Sequence, residues 1–543
     1  TFVSLKPNAM TLNLFEKLSY VLFAALAIFI LLTFKQYGIS NDEQVQHVYG
    51  QLLLKFYGSG FTDQSAFMYK NLYLYGGFFD LIAAILEKIL PLWVWDIRHL
   101  LSAAFGYAGM IAVYKCTREL ADERAAFLAV LLLCLTGAWT GAMFTHTKDV
   151  SFGACMAWAL YYTILVSRHL PRVPLHLSLK LGVATGLALG LRIGGAFAVI
   201  YIILLVLIAG LLNAGTFKHR LSYYWQSILS LLPAGIAAFC LMAIFWPWAV
   251  MGLSHIFIAA KSFSHFAFNM NTIVDGVFVS IGDVPRTYLL QYLSVRLPEV
   301  FLLGLLSAAV ILLIKIKKIR PANHLPDISV AIAIITPLLF VLYDRPALYN
   351  GVRHFTFIIP VLSIAAGIGL STAFDILNPY KKLRLGLIAF CILLTSNTIY
   401  TLYALHPYQY VYYNYFAGEN FKKDVHDWEG DYWSSSLIDA TKLLKFYIDA
   451  EQMKLPKSHK KIYSVAICAE PFQGRAYLDK RFTITEDWVA ADFYISSTNM
   501  NCDKVLKGKI IGTIERLDTP LAIVKDRRNL TGEDRRPHAA PRD

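Results

Sequence analysis

Long apolar stretches recur along this 543-residue chain, and they limit its fold more than any other feature. Each is about as long as a helix needs to be to cross a bilayer. The chain is 57% hydrophobic with a mean hydropathy of +0.50, which excludes an ordinary soluble protein. We predict a polytopic α-helical membrane protein with about eleven spans, at 18–34, 98–114, 124–142, 150–167, 177–191, 194–212, 225–248, 297–314, 328–343, 354–374 and 385–404.

Clusters of lysine and arginine give these stretches an orientation. Basic residues favour the cytoplasmic ends of membrane spans, so the N-terminus is expected inside and the C-terminal region outside. This placement accounts for the formal charge of +13 without a nucleic-acid partner. The clusters are Lys115/Arg118/Arg124, Arg168/Arg172/Lys180, Lys218/Arg220, Lys315/Lys317/Lys318/Arg320 and Lys381/Lys382/Arg384.

The membrane domain is expected to occupy residues 1–405, with helices lying on its outer surface. If Asp42 is outside and Lys115 inside, the chain between them crosses only once, although it holds apolar segments at 72–90 and 98–114. We therefore predict that 44–90 lies mostly on the outer surface as juxtamembrane or re-entrant helices, where Asp80, Glu87 and Lys88 suit an amphipathic helix. A second outer region of this kind is predicted over about 250–296.

Polar residues interrupt the apolar sequence mainly at the ends expected outside. Asp42 and Glu43 follow the first apolar run directly, and adjacent carboxylates are costly so close to hydrocarbon. Carboxylates, cations and histidines on one side of a membrane suit a charged substrate with a lipid tail, such as a phosphate ester. The other polar residues are Tyr69, Lys70, His146, Lys148, Asp149, Arg192, His255, Lys261, His265, Arg353 and His354.

These residue types suggest roles in sugar transfer. Asp42 can act as a general base toward an acceptor, Glu43 can orient it, and Asp149 is a third catalytic carboxylate. A departing phosphate needs fixed cations, and arginine binds phosphate in a bidentate manner. A divalent metal held by Glu43, Asp149 and His265 stays open, because no tight ligand motif is present. The predicted donor-phosphate residues are Tyr69, Lys70, Lys148, Arg192, Arg353 and His354.

Each of these residues also has a purely structural interpretation. The acidic pair can be a solvated loop, Lys148-Asp149 a polar cap between spans, and Arg192 a hairpin tip or a buried residue with a partner. The tyrosine-rich stretch 408–415 is typical of an interfacial aromatic belt. For the whole chain, a transporter and a flippase or ligase for a lipid-linked glycan remain alternatives. The lack of an internal repeat argues against the transporter.

Several segments resemble bacterial membrane glycosyltransferases with a C-type fold, in the branch of the protein O-mannosyltransferases and the lipid A aminoarabinose transferase. The acidic pair after the first span matches that family. Two segments depart from its pattern: Asn71 and Lys70 stand where relatives have two prolines, and Ser151 replaces another proline. Besides the acidic pair, the similar segments, including the two that depart from the pattern, are Tyr69-Lys70-Asn71-Leu72, Lys148-Asp149-Val150-Ser151-Phe152, Gly351-Val352-Arg353-His354-Phe355, the stretch His406 to Asn414, and Asp431-Tyr432-Trp433.

The resemblance implies a specific reaction. The donor would be a sugar on a polyprenyl phosphate, transferred with inversion on the outer face of the bacterial cytoplasmic membrane, with Asp42 as the base. No cofactor is certain, and the acceptor can be a protein, a lipid or a glycan.

The region from 406 to 526 lacks long apolar runs and is predicted to be a small extracytoplasmic α/β domain. Ser436 and Asp439 have capping-box spacing before an amphipathic helix that reaches about residue 450. Cys468 and Cys502 can form a disulfide if the domain lies outside. Residues 527–543 are charged and are predicted to be a disordered tail. Strands are expected at 462–467, 493–495, 509–514 and 521–524.

Overall fold

A computed structural model describes residues 13–213, 215–264, 270–315, 321–418, 427–453 and 461–537. Within these ranges the chain forms a large helical domain followed by a small domain built on a mixed sheet. The helices are α1 (Leu14–Thr33), α2 (Glu43–Gly58), α3 (Phe78–Ile89), α4 (Val94–Leu120), α5 (Glu123–Cys134), α6 (Gly137–Thr140), α7 (Ala142–Thr145), α8 (Thr147–Ser167), α9 (Leu175–Leu189), α10 (Ala196–Asn213), α11 (Phe217–Phe245), α12 (Pro247–Met251), α13 (His255–Ser264), α14 (Tyr288–Arg296), α15 (Glu299–Lys315), α16 (Leu325–Asp344), α17 (Ile358–Ile376), α18 (Lys381–Leu405), α19 (Leu437–Gln452) and α20 (Pro471–Arg475).

All eleven predicted apolar stretches are helical. In the part of the chain that the structure describes, 8 helices are long and apolar enough to cross a membrane. That number rises to 10 if α5 with α6–α7 and α14 with α15 each count as one bent span. The polytopic helical class is confirmed. A total of eleven requires the 15-residue helix α9 to cross as well, so that number stays a prediction.

The membrane helices differ in how much protein surrounds them. Helices α8 and α17 are largely buried inside the bundle, whereas α11 and α18 expose apolar side chains along most of their length. Small residues allow the central helices to approach closely. A Cβ added at Gly369 of α17 would lie 2.4 Å from the carbonyl oxygen of Gly304 in α15. Polar groups at the ends of α8 and α17 are therefore held in a well-packed setting.

The two predicted outer regions contain helices, and the second also contains a hairpin. Helices α2 and α3 lie within 44–90, and α12, α13 and α14 lie within 250–296 or beside it. Between α13 and α14, β1 (Asn271–Val274) pairs with β2 (Val277–Ser280) in an antiparallel hairpin. Asp275 and Gly276 both have positive φ at its turn, and the dipeptide Asp-Gly is a standard signal for such a turn. The hairpin was not among the predicted elements, although Asp-Gly in the sequence indicates its turn.

The C-terminal domain is a five-stranded mixed sheet in the order β4-β3-β5-β7-β6. Four of its strands coincide with the predicted runs, and β4 was missed. Helix α19 packs on the sheet through Leu437, Leu444 and Ile448. The strands are β3 (Tyr463–Cys468), β4 (Phe482–Ile484), β5 (Phe493–Ser497), β6 (Lys509–Arg516) and β7 (Thr519–Asp526).

Three details of this domain differ from expectation or extend it. The Ser436 side chain does not cap α19; instead the Asp431 carboxylate accepts from the backbone N–H groups of Ser435 and Ser436. The predicted tail begins too early, because the Arg527 side chain is buried and donates to the carbonyl oxygen of Lys507. Residues 538–543 lie outside the described residues. Cys468 and Cys502 are joined by a disulfide.

The tyrosine-rich stretch joins the two domains and is not an interfacial belt. Tyr408, Tyr410 and Tyr412 are buried, and the Tyr408 hydroxyl donates to Asp439 of α19 at 2.6 Å. The buried Arg296 donates to the carbonyl oxygens of Tyr410 and Tyr412 at 2.7 and 3.2 Å. The hydrophobic cluster of the membrane domain thus extends to Trp428, Trp433 and Leu521, whereas α19 and the sheet form a separate core.

Candidate active site

The acidic pair separates into one accessible and one buried carboxylate. Asp42 stands at the N-terminus of α2 with 41% of its side chain exposed, whereas Glu43 is fully buried. Glu43 accepts from the backbone N–H of Ser40 at 2.7 Å, as the glutamate of a capping box does, and lies 3.2 Å from His99. Glu43 therefore holds the turn that presents Asp42.

Arg353 links Asp42 to the end of the most buried helix. It lies in a 3₁₀ turn, Arg353–Phe355, just before α17. Its Nη2 donates to Oδ2 of Asp42 at 2.5 Å, and its Nε donates to Oδ2 of Asp149 at 3.2 Å. Burial opposes the charge of this guanidinium, but Asp42 and Asp149 raise the pKa of Arg353 above its usual value. Arg353 therefore carries a positive charge between two carboxylates.

Asp149, in the first turn of α8, binds a second arginine. Its Oδ1 forms an ion pair with Nη2 of Arg192, which lies in the break between α9 and α10. Asp42, Arg353, Asp149 and Arg192 thus form an alternating row of two carboxylates and two guanidiniums. Arg192 Nε is buried and has no hydrogen-bond partner among the described residues. We call these four residues the ionic row.

His354 and two tyrosines border the ionic row. The His354 ring packs edge-on against Tyr349, with 4.6 Å between ring centroids. Burial, together with Arg353 and Arg192, lowers the pKa of His354 to about 3, so the imidazole is neutral near pH 7. His354 is at the predicted site but adds no positive charge there. Tyr75, which sequence reasoning missed, lies nearby and is partly buried, and desolvation raises the pKa of its phenol.

Lys148 lies in a separate ionic group. Its Nζ is 2.9 Å from Oδ2 of Asp80 and close to the rings of Tyr49 and Tyr75, at 5.3 and 5.4 Å. The other oxygen of Asp80 accepts from Arg98 at 3.0 Å. The interpretation of Asp80 as part of a surface helix is wrong, because α3 packs against α2 and α4 and turns this carboxylate inward.

Tyr69 and Lys70 are not brought to the ionic row by any described contact. Lys70 is exposed in a turn with φ of +49°, and Tyr69 is half-buried against the cluster around Tyr49 and Leu72. Their role in phosphate binding stays a prediction.

Two of the three proposed metal ligands are bound to other groups. Both oxygens of Asp149 face arginines, and Glu43 is engaged by Ser40 and His99. His265 lies outside the described residues. Among the residues that are described, no group of three His, Cys, Asp or Glu side chains is placed to hold a metal ion. Glu43 and Asp149 therefore do not fit as metal ligands.

The C-terminal domain contacts the loop that carries Asp42. The Gln473 amide donates to the carbonyl oxygens of Ile39 and Trp433, at 2.6 and 2.9 Å. Gly38 lies so close to the domain that an added Cβ would be 2.1 Å from the carbonyl oxygen of Ser435. The position of the loop therefore depends on the domain packed against it.

Replacing Gly38 should disturb this contact. Gly38→Ala forces a methyl group onto a backbone carbonyl, and we expect it to lower the free energy of unfolding by about 1–3 kcal/mol and to reduce activity. Gly386→Ala in α18 is the matched control, because a Cβ there meets nothing within 4 Å. Thermal unfolding in detergent checks both variants, and equal stability of the two would contradict the close contact.

Comparison with known proteins gives structural matches only. No family model and no curated protein matches the chain. An apo oligosaccharyltransferase from Archaeoglobus fulgidus has 15% sequence identity and a TM-score of 0.48, over 88% of this chain and 69% of that protein. ArnT from Cupriavidus metallidurans bound to undecaprenyl phosphate has 14% identity and a TM-score of 0.47, over 93% and 97%. The arabinofuranosyltransferase AftD from Mycobacteria has 12% identity and a TM-score of 0.44, over 97% and 40%.

Proposed function

We propose that this protein is a membrane glycosyltransferase. It transfers a sugar from a polyprenyl-phosphate donor to an acceptor on the outer face of the bacterial cytoplasmic membrane. The observation that carries the proposal is the ionic row, in which the half-exposed Asp42 touches a guanidinium that also binds Asp149. A half-exposed carboxylate and two guanidiniums meet at the ends of membrane helices, which supports a base and a phosphate-binding site at this place.

The reaction uses these groups in distinct ways. Asp42 takes the proton from an acceptor hydroxyl or amine as its oxygen or nitrogen attacks the anomeric carbon of the sugar. The bond between that carbon and the phosphate oxygen breaks, and the electron pair leaves with the polyprenyl phosphate. Arg353 and Arg192 stabilise the negative charge that develops on this leaving group. Attack from the face opposite the phosphate inverts the configuration at the anomeric carbon.

The ion pairs also suggest how donor binding prepares the base. Arg353 is shared between Asp42 and Asp149. An arriving phosphate competes with Asp42 for the guanidinium, because arginine binds phosphate through the same in-plane N–H groups. Asp149 keeps both arginines in place, while the carboxylate of Asp42 is released from its ion pair. Donor binding would therefore free Asp42 to face the acceptor.

A transfer assay tests the proposal. Purified protein in lipid nanodiscs is given a panel of polyprenyl-phosphate donors with radiolabelled sugars, and a membrane extract serves as acceptor. We expect covalent transfer of label from at least one donor. No transfer from any donor in the panel would contradict the proposal, and transfer only from a diphosphate-linked glycan would identify a ligase.

A further inference from the structure

Trp433 belongs to the C-terminal domain, yet it lies against the ionic row. The Arg353 guanidinium carbon is 4.0 Å from the centre of the indole ring. The ring is buried, and the His146 ring approaches it at 5.4 Å in an edge-on arrangement. Both neighbours belong to the membrane domain, so Trp433 is a point at which the second domain reaches into the site.

The geometry separates two uses of the Arg353 guanidinium. Its N–H groups point outward in the plane of the group and donate to Asp42 and Asp149. Its guanidinium carbon lies over the indole ring, and a cation–π contact of this kind does not consume the N–H donors. Trp433 can therefore hold the guanidinium in place while its N–H groups exchange one anion for another.

The backbone around Trp433 is itself firmly held. Asp431 accepts from the N–H groups of Ser435 and Ser436 at 2.9 and 2.8 Å. The Tyr432 hydroxyl lies 2.6 Å from Nε2 of His146, which directly precedes α8. The carbonyl oxygen of Trp433 accepts from Gln473. Because the backbone on both sides of Trp433 is held, its ring can position the side chain of Arg353.

We propose that Trp433 is a positioning residue of the transfer site. It acts through Arg353, holding the guanidinium where it can bind the phosphate of the donor. This inference rests on the proposed function. It also implies that the C-terminal domain contributes a residue to the site.

A double-mutant cycle on Trp433 and Arg353 tests this role, with undecaprenyl phosphate as the probe. Trp433→Leu removes the ring, and we expect it to weaken binding of the probe about tenfold, which lies within the range for cation–π contacts. Trp433→Phe keeps an aromatic face and should restore most of the affinity. It loses no hydrogen bond, because the indole N–H has none within the described part of the chain. In an Arg353→Met background, Trp433→Leu should have no further effect.

Trp428→Leu is the matched control, since Trp428 is buried in the same segment but packs against Tyr292 and Tyr413. It should change binding less than twofold. The positioning role would be overturned if Trp433→Leu did not lower the affinity for the probe. It would also be overturned if the loss of affinity were equal with and without Arg353. If Arg353→Met itself leaves binding unchanged, the phosphate site of the proposed function fails instead. Should the leucine variant not fold, Trp433→Met, which also lacks an aromatic face, is measured in both backgrounds and gives the same decision.

Discussion

Asp42→Asn is expected to abolish sugar transfer while the protein stays folded. The amide cannot take a proton from the acceptor, and loss of a general base costs about 10²–10⁴-fold in rate. Its oxygen can still accept from Arg353, and the side chain is partly exposed, so folding should be little affected. Initial rates with saturating donor, together with thermal unfolding of the same preparation, give the comparison.

The control for this variant is Asp63→Asn, in the loop that follows α2. Asp63 is also an acidic loop residue with a basic partner, but that partner is Lys55, and no described contact joins Asp63 to the ionic row. The activity of the Asp63→Asn protein should stay within about twofold of wild type, because ion pairs near the surface contribute little energy. Full activity of Asp42→Asn would remove Asp42 from the reaction.

Asp149→Asn is expected to give the largest loss of stability. Both guanidiniums that Asp149 binds are buried. Without it Arg353 keeps only the half-exposed carboxylate of Asp42, and Arg192 keeps no carboxylate partner among the described residues. Removing one partner of a buried ion pair costs about 3–5 kcal/mol, because the remaining charge is left desolvated. The variant should unfold at a markedly lower temperature and should lose activity as well.

A more exposed ion pair serves as the comparison. Asp375, at the end of α17, pairs with Arg124 at 2.7 Å, but 63% of its side chain is exposed. Asp375→Asn should cost less than about 1 kcal/mol. If Asp149→Asn unfolds no more easily than Asp375→Asn, the buried row does not contribute to stability in the way described here.

The fold class and the four residues of the ionic row could be identified from the sequence. Asp42, Asp149, Arg192 and Arg353 are charged residues within or beside apolar runs, where a charge has few reasons to exist. The eleven apolar stretches were recognisable for the same reason, because a membrane helix needs a long run of apolar residues. These signals are local in the chain.

The sequence is least informative where a role depends on the direction in which a side chain points. Lys148 and Asp149 are neighbours in α8, and successive residues of a helix differ by about 100° around its axis. They therefore face different groups: Asp149 the ionic row, and Lys148 the carboxylate of Asp80. Glu43 and Asp42 also contact different groups. Adjacency in sequence therefore does not establish adjacency in the site.

Other residues were missed because only tertiary packing brings them to the site. Asp80 lies on a helix that reads as amphipathic, and its burial is decided by the packing of α3 on α2 and α4. Trp433 comes from the second domain, and no local pattern links it to Arg353. The motif Asp431-Tyr432-Trp433 was noticed through the family resemblance, but a resemblance alone did not indicate which side chain it would touch.

The measurement that tests the central claim most directly is the stoichiometry of the reaction. Wild-type protein and Asp42→Asn are incubated with an accepted donor, and both free polyprenyl phosphate and glycosylated acceptor are quantified. We predict that wild type releases one polyprenyl phosphate for each acceptor that gains a sugar, and that the variant releases neither. Movement of labelled sugar across the bilayer without release of polyprenyl phosphate would contradict the account and indicate a transporter.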